Sequence, residues 1–229
     1  MTRNSSSALG HYQGDEGQAY FEWQDQLGKW AGIWNARFFQ PLIRPTDKIL
    51  DFGCGAGHLL AVLKAGHKVG VEINPAARRV AIDYGLKVVA RVGDLGDERF
   101  DVVLSSHTLE HVPSPLETLV ALQEHVLSDG RLLLLLPLED WRSSEQRKFH
   151  RDDISMHLYC WTPQSLGNLL RAVGLEPVAI KVITRAFPPL GPFLWQAGRP
   201  LFEVAAVLTA FLKRRRQLFA CSRPRSTAA

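Results

Sequence analysis

The sequence predicts an α/β fold built on a doubly wound, mostly parallel sheet, and three observations carry that prediction. Short apolar runs bounded by turn residues, at 48–52, 68–71, 86–91, 100–104 and 130–137, alternate with segments whose apolar residues recur at helical spacing. A triple-glycine bend, Gly53-Cys54-Gly55-Ala56-Gly57, follows the first run and opens a helix carrying Leu59, Leu60, Val62 and Leu63. The chain has 229 residues, 46% hydrophobic and 22% charged, which suits one soluble domain with an appended element.

The bend carries the chemistry. Glycines let the backbone turn sharply and approach a ligand without Cβ clashes, and the first N–H groups of the following helix are left without intrahelical partners. Asp51 stands just before the bend, and Glu72 closes the second run, 19 positions after Gly53. An acid at that strand end is placed to accept hydrogen bonds from a ribose diol. A dinucleotide fingerprint asks for Gly or Ala at position 58, where this chain has His58. Asp51 also disfavours a pyrophosphate and welcomes an ammonium group.

Asp51-x-Gly53-x-Gly55-x-Gly57 closely resembles motif I of class I S-adenosylmethionine (SAM)-dependent methyltransferases. SAM carries an ammonium and no phosphate, in agreement with the reading of the acids. Leu109-Glu110-His111-Val112 before Pro113 resembles the methyltransferase type 11 subgroup, which includes quinone-biosynthesis enzymes. The resemblance covers about residues 45–140 and implies a seven-stranded Rossmann-like methyltransferase fold whose last strand is antiparallel. It further implies SAM contacts from Asp51, Gly53, Cys54, Gly55 and Gly57, from Glu72 and Ile73, and from Ser105. By the same resemblance Asp94 meets the adenine amino group and Leu95 packs on the ring.

Four parts follow along the chain: a tail and helical cover (1–44), the SAM-binding core (45–184), a helical insert (185–216), and a last strand with its tail (217–229). Residues 2–10 are polar and are expected to be disordered. The cover holds eight aromatics between Tyr12 and Phe39, most of which are expected to pack on the sheet flank. Tyr20 and Tyr12 are the favoured ligand contacts, since a sulfonium benefits from aromatic faces.

The fourth strand delivers Ser105-Ser106-His107-Thr108 to the sheet's carboxyl edge, where ligands sit in open α/β sheets. His107 is the candidate general base, with a pocket-shaping role as its alternative. His111 is read as a packing or capping residue. A polar segment, 138–162, is long for a plain connection and is expected to act as a lid. From it Trp141, His150, His157 and Tyr159 are candidate acceptor contacts. No His/Cys/Asp spacing matches a metal site, so none is expected.

A helix over 164–173, a sixth strand over 176–184 and a seventh over 217–221 complete the core. Between the last two, the insert continues from Pro200 as a helix with Leu201, Val204, Ala205, Leu208, Phe211 and Leu212 on one stripe. That stripe is expected to pack on the domain or a second subunit, with contact to an anionic membrane as the alternative. Lys213-Arg214-Arg215-Arg216 ends the helix, and residues 181–229 hold nine Lys/Arg against one Glu. The other residues hold 18 basic and 22 acidic groups, so the formal charge of +4 comes from the C-terminal end.

Three cysteines without a C-x-x-C pair argue against disulfides and zinc and fit a cytoplasmic protein. Residues 1–10 do not read as a secretory signal, and no apolar run is long enough to span a bilayer. The expected function is methyl transfer from SAM to a small-molecule, glycan or lipid-linked acceptor, at oxygen. A nucleic-acid acceptor such as RNA, or a non-catalytic SAM-binding partner protein, are the alternatives. Nucleic acid is not favoured: base-amino methyltransferases carry an Asn/Asp-Pro-Pro-aromatic run where this chain has Ser105 to Thr108.

Overall fold

A computed structural model describes residues 10–12, 14–140, 142–143 and 146–225. Among them, one sheet holds seven strands: β1 Lys48–Phe52, β2 His67–Val71, β3 Lys87–Val89, β4 Phe100–Ser106, β5 Val126–Leu138, β6 Leu175–Ile183 and β7 Arg216–Pro224. Their order across the sheet is β3-β2-β1-β4-β5-β7-β6. The first five run parallel, while β7 enters antiparallel between β5 and β6. The doubly wound, mostly parallel architecture with an antiparallel final strand is the expected one.

Both sheet faces are covered, as the continuous apolar strands require. Leu50, Val103, Leu132, Leu134 and Leu136 pack on one face with Trp161, Leu166 and Leu170. Their neighbours in sequence, Ile49, Val102, Leu104, Leu133 and Leu135, pack on the other with Phe39, Leu60 and Phe219. The period of two in each strand thus divides one apolar run between two cores.

The helices are α1 Gly14–Phe39, α2 His58–Val62, α3 Pro75–Asp83, α4 Pro115–Glu124, α5 Pro163–Ala172, α6 Gly191–Ala197 and α7 Arg199–Leu212. Three start on a side-chain cap with proline in the first turn: Asn74 Oδ1 accepts from Ala76 and Ala77, Ser114 Oγ from Glu117, and Thr162 Oγ1 from Ser165. The cover is one long helix, α1, followed by the 3-10 turn Gln40–Leu42 at Pro41. Its aromatics divide: Phe39 sits in the core against the sheet, whereas Trp34 packs edge-on against Phe187 and Phe202 of the insert.

The insert corrects one expectation. Leu201, Val204, Leu208, Phe211 and Leu212 of α7 face outward, Leu212 at 83% exposure. Phe202, Ala206 and Ala210 are the buried face, and Phe202 meets Trp34 and Trp195. Both faces are apolar. The two alanines let the helix approach the domain closely, so the narrower face wins over the bulkier stripe.

Candidate functional site

Gly53, Gly55 and Gly57 all take positive φ, at 73°, 55° and 78°. At Gly57 the geometry is doubly demanding, because a Cβ would lie 2.4 Å from Leu86 Cδ1. The bend is tied to the second strand: Gly53 and Cys54 donate to the Val71 carbonyl, at 2.8 and 3.1 Å. Glu72 points into the crevice, accepting from Gly55 N at 2.8 Å and from Asn74 N at 2.7 Å. Asn74 Nδ2 in turn donates to the Gly17 carbonyl and holds α1 over the bend.

Two adjoining cavities flank this bend, of about 290 and 250 Å³, and both are lined by Gln24, Gly53, Gly55, Ser106 and His107. The larger adds Glu72, Ile73, Tyr20, Tyr12 and His111, and the smaller adds Asp51, Cys54 and Ala56. Of the sequence-predicted residues, the bend glycines Gly53 and Gly55, together with Asp51, Cys54, Glu72, Ile73, Tyr20 and His107, therefore converge on one crevice. Gly57 shapes it from behind as the left-handed residue that starts α2.

Asp51 is the electrostatic centre. It is 1% exposed, and its Oδ1 accepts no hydrogen bond. Burial, together with the nearby Glu72 carboxylate, pushes its pKa up to about 8. Burial also raises Glu72, against the backbone N–H groups that favour its charge. A buried acid with an orphaned oxygen beside a lined cavity is the complement of a cationic ligand group.

Three expected cofactor contacts line neither cavity. Ser105 is fully buried and its Oγ donates to the Phe52 carbonyl at 2.9 Å, bracing β4 on β1. Strand alternation gives Ser106, one residue on, to both cavities. The third strand stops at Val89, so Ala90, Arg91 and Val92 form that cavity edge. Asp94 turns back to accept from Arg91 N at 2.9 Å, and Leu95 joins the core.

His107 leaves β4 with a φ of 54°, an uncommon conformation for a side-chain-bearing residue. Its Nε2 donates to Gln217 Oε1 at 3.1 Å, while Gln217 Nε2 donates to the Arg185 carbonyl. Its Nδ1 lies 3.6 Å from Glu110. His111, given a packing role by sequence, instead lines the larger cavity, with its Nδ1 2.8 Å from the Tyr12 hydroxyl. Burial lowers the His111 pKa and raises that of Tyr12, favouring the neutral form of each.

The polar segment folds back on this edge, and Leu158 N donates to the Glu110 carbonyl at 2.8 Å. His157 lies beside the site, its ring 4.8 Å from that of His111 and its Nδ1 hydrogen-bonded to Glu139. Burial disfavours a charged His157, but the Glu139 hydrogen bond and the Glu110 and Glu139 charges outweigh it and raise the pKa. Glu110 is fully buried, yet His107 and His111 keep its pKa below the ordinary value despite that burial. Tyr159 is a strut, donating to the Pro113 carbonyl at 2.7 Å, and His150 is exposed and lines neither cavity. Trp141 lies outside the described residues.

Comparison with known proteins agrees with this geometry. A family described as a methyltransferase domain matches residues 23–180. The chain belongs to the methyltransferase-domain family. The ubiquinone biosynthesis O-methyltransferase of Ruegeria sp. is 30% identical over 169 residues, covering 65% of this chain and 66% of that one. The tRNA U34 carboxymethyltransferase of Serratia proteamaculans is 34% identical over 124 residues, covering 46% and 38%. This methyltransferase-domain chain thus spans less than two thirds of the length of either relative. In fold it is similar to the Burkholderia thailandensis 1,6-didemethyltoxoflavin-N1-methyltransferase, with a TM-score of 0.64, 21% identity and coverage of 98% and 93%. The cofactor of the family is SAM, and the orphaned Asp51 oxygen, the Glu72 carboxylate and the glycine bend fit it.

Proposed function

We propose that the chain transfers a methyl group from SAM to a small-molecule acceptor, at oxygen. The unpartnered Asp51 oxygen at the base of the glycine bend carries this reading. Asp51 would take the cofactor's ammonium, the bend would lie along its length, and Glu72 with Ile73 would receive the ribose. Bound SAM supplies a methyl group on a sulfonium that is already a good leaving group. The chain's task is then to orient the acceptor in line and exclude water.

The acceptor space lies in the larger cavity between Tyr12, His107, Thr108 and His111. Its size suits a small molecule, and the resemblance to ubiquinone biosynthesis O-methyltransferases favours a hydroxyl. His107 is the proposed base, held in place by Gln217. An RNA acceptor is disfavoured because Ser105 to Thr108 stand where base-amino methyltransferases carry an Asn/Asp-Pro-Pro-aromatic run. Methyl transfer from labelled SAM to a panel of hydroxylated aromatic compounds, with RNA as the comparison, tests this. Label on the small molecules supports it, and label on RNA alone overturns it.

A second reading concerns α7. Its outward apolar face ends in Lys213 to Arg216, which suits an anionic lipid surface and a lipid-linked acceptor. Co-sedimentation with anionic but not zwitterionic vesicles supports that contact, whereas a stable homodimer without vesicle binding assigns the face to a second copy. No helix among the described residues is long and apolar enough to cross a membrane.

A further inference from the structure

Glu110 presents an unsolved problem of charge. It is 0% exposed, and neither carboxylate oxygen accepts a hydrogen bond. The nitrogens nearest to it are those of two imidazoles, His107 Nδ1 at 3.6 Å and His111 Nε2 at 3.9 Å. An ionised carboxylate held away from water without a hydrogen bond is costly, and a close cation relieves the cost. Two imidazoles converge on the same point: one ligating atom each from Glu110, His111 and His157 lie within 4.8 Å of one another.

We propose that Glu110, His111 and His157 form a binding site for a divalent transition-metal ion of the zinc class. Two imidazoles and one carboxylate are a donor set that such ions favour, with a further position left for an exogenous oxygen. The outer contacts agree. Tyr12 meets Nδ1 of His111 and Glu139 meets Nδ1 of His157, so the ion would take the far nitrogen of each ring, in place of the contact that His111 makes with the Met156 backbone. Holding the far nitrogen in this way orients a metal-binding imidazole. An ion with ligands at about 2.1 Å keeps them about 3.4 Å apart, so the side chains close in by about 1 Å on loading. His157 is the partly exposed member and gives the ion a route in, while His111 carries the site to the wall of the acceptor cavity. The three residues are separated by 46 positions between His111 and His157, which is why no spacing motif announces them.

The inference assumes nothing about methyl transfer and is tested by metal binding alone. Purified protein is titrated with Co²⁺ and followed by its visible d–d absorption, then displaced with Zn²⁺. One equivalent is expected to bind, with His157→Ala and Glu110→Gln each weakening it at least tenfold and Cys160→Ser leaving it unchanged. His157 is partly exposed, so its variant keeps the test valid even if Glu110→Gln fails to fold. Absence of Co²⁺ binding, or unchanged binding in His157→Ala, overturns the proposal. So does loss of binding in Cys160→Ser, which would assign the ion to the exposed thiol beside Glu139.

Discussion

Asp51 and Glu72 stand at the carboxyl ends of adjacent strands, and the glycine bend treats them differently. Glu72 accepts hydrogen bonds from Gly55 and Asn74, whereas Oδ1 of the more deeply buried Asp51 accepts none. Backbone N–H groups hold Glu72 at the cavity wall, while one Asp51 oxygen has no protein partner there.

With Asp51 as the proposed partner of the ammonium, cofactor affinity is expected to depend on pH. Its carboxyl, pushed up to about 8, holds a proton at neutral pH until a cation arrives. Affinity for SAM should therefore fall as pH drops below about 8, by up to tenfold per unit. Asp51→Asn should bind SAM about 10- to 100-fold more weakly and show a flat profile. The same raised value contributes stability below the unfolded pKa of about 3.9 that is lost as pH rises through about 8. The ligand-free Asn variant should thus melt higher than the parent at pH 8. Calorimetric titrations from pH 6 to pH 8.5 and thermal melts check both outcomes.

Gly57 is fixed by conformation and by space. Gly57→Ala places a Cβ in the left-handed region and against Leu86 and Ala81. A loss of about 1–3 kcal/mol in denaturant unfolding is expected. A neutral result would show that the bend is looser than described.

Gln217 should matter to turnover through His107. Removing its carbonyl frees the imidazole, so Gln217→Ala should lower kcat several-fold with little change in SAM affinity. His107→Ala should lower kcat further, again sparing SAM binding. Steady-state kinetics with paired calorimetry separate this from a general loss of structure. Equal losses in kcat and cofactor affinity would remove the positioning role.

The two faces of α7 give opposite expectations. Phe202 is fully buried among Trp34, Phe187 and Trp195, and its replacement by Ala should cost about 3–5 kcal/mol. Phe211 is 68% exposed, and its replacement should change stability by no more than about 0.5 kcal/mol. Urea unfolding of the two variants decides which face the domain uses.

What sequence could read was local. The bend, its two acids and the succession of strands are written in consecutive residues, and they fold as written. Positions set by one step of a strand were harder: Ser105 and Ser106 are alike in sequence, and pairing with Phe52 decides which one reaches the crevice. The side chain of Asp94 satisfies a nearby backbone N–H just after a third strand that ends at Val89, an arrangement set by backbone geometry rather than by motif. The Tyr12–His111 contact spans 99 residues and the His107–Gln217 contact 110, so neither leaves a local pattern. On α7 both faces are apolar, and only tertiary packing chooses between them.

The glycine bend between Asp51 and Glu72 should hold a cationic, phosphate-free nucleoside. Calorimetric titration of the purified chain with SAM and, separately, with NAD tests it most directly. One SAM should bind per chain, more weakly in Asp51→Asn, with no heat from NAD. Binding of NAD in preference to SAM, or SAM affinity indifferent to Asp51, would contradict it.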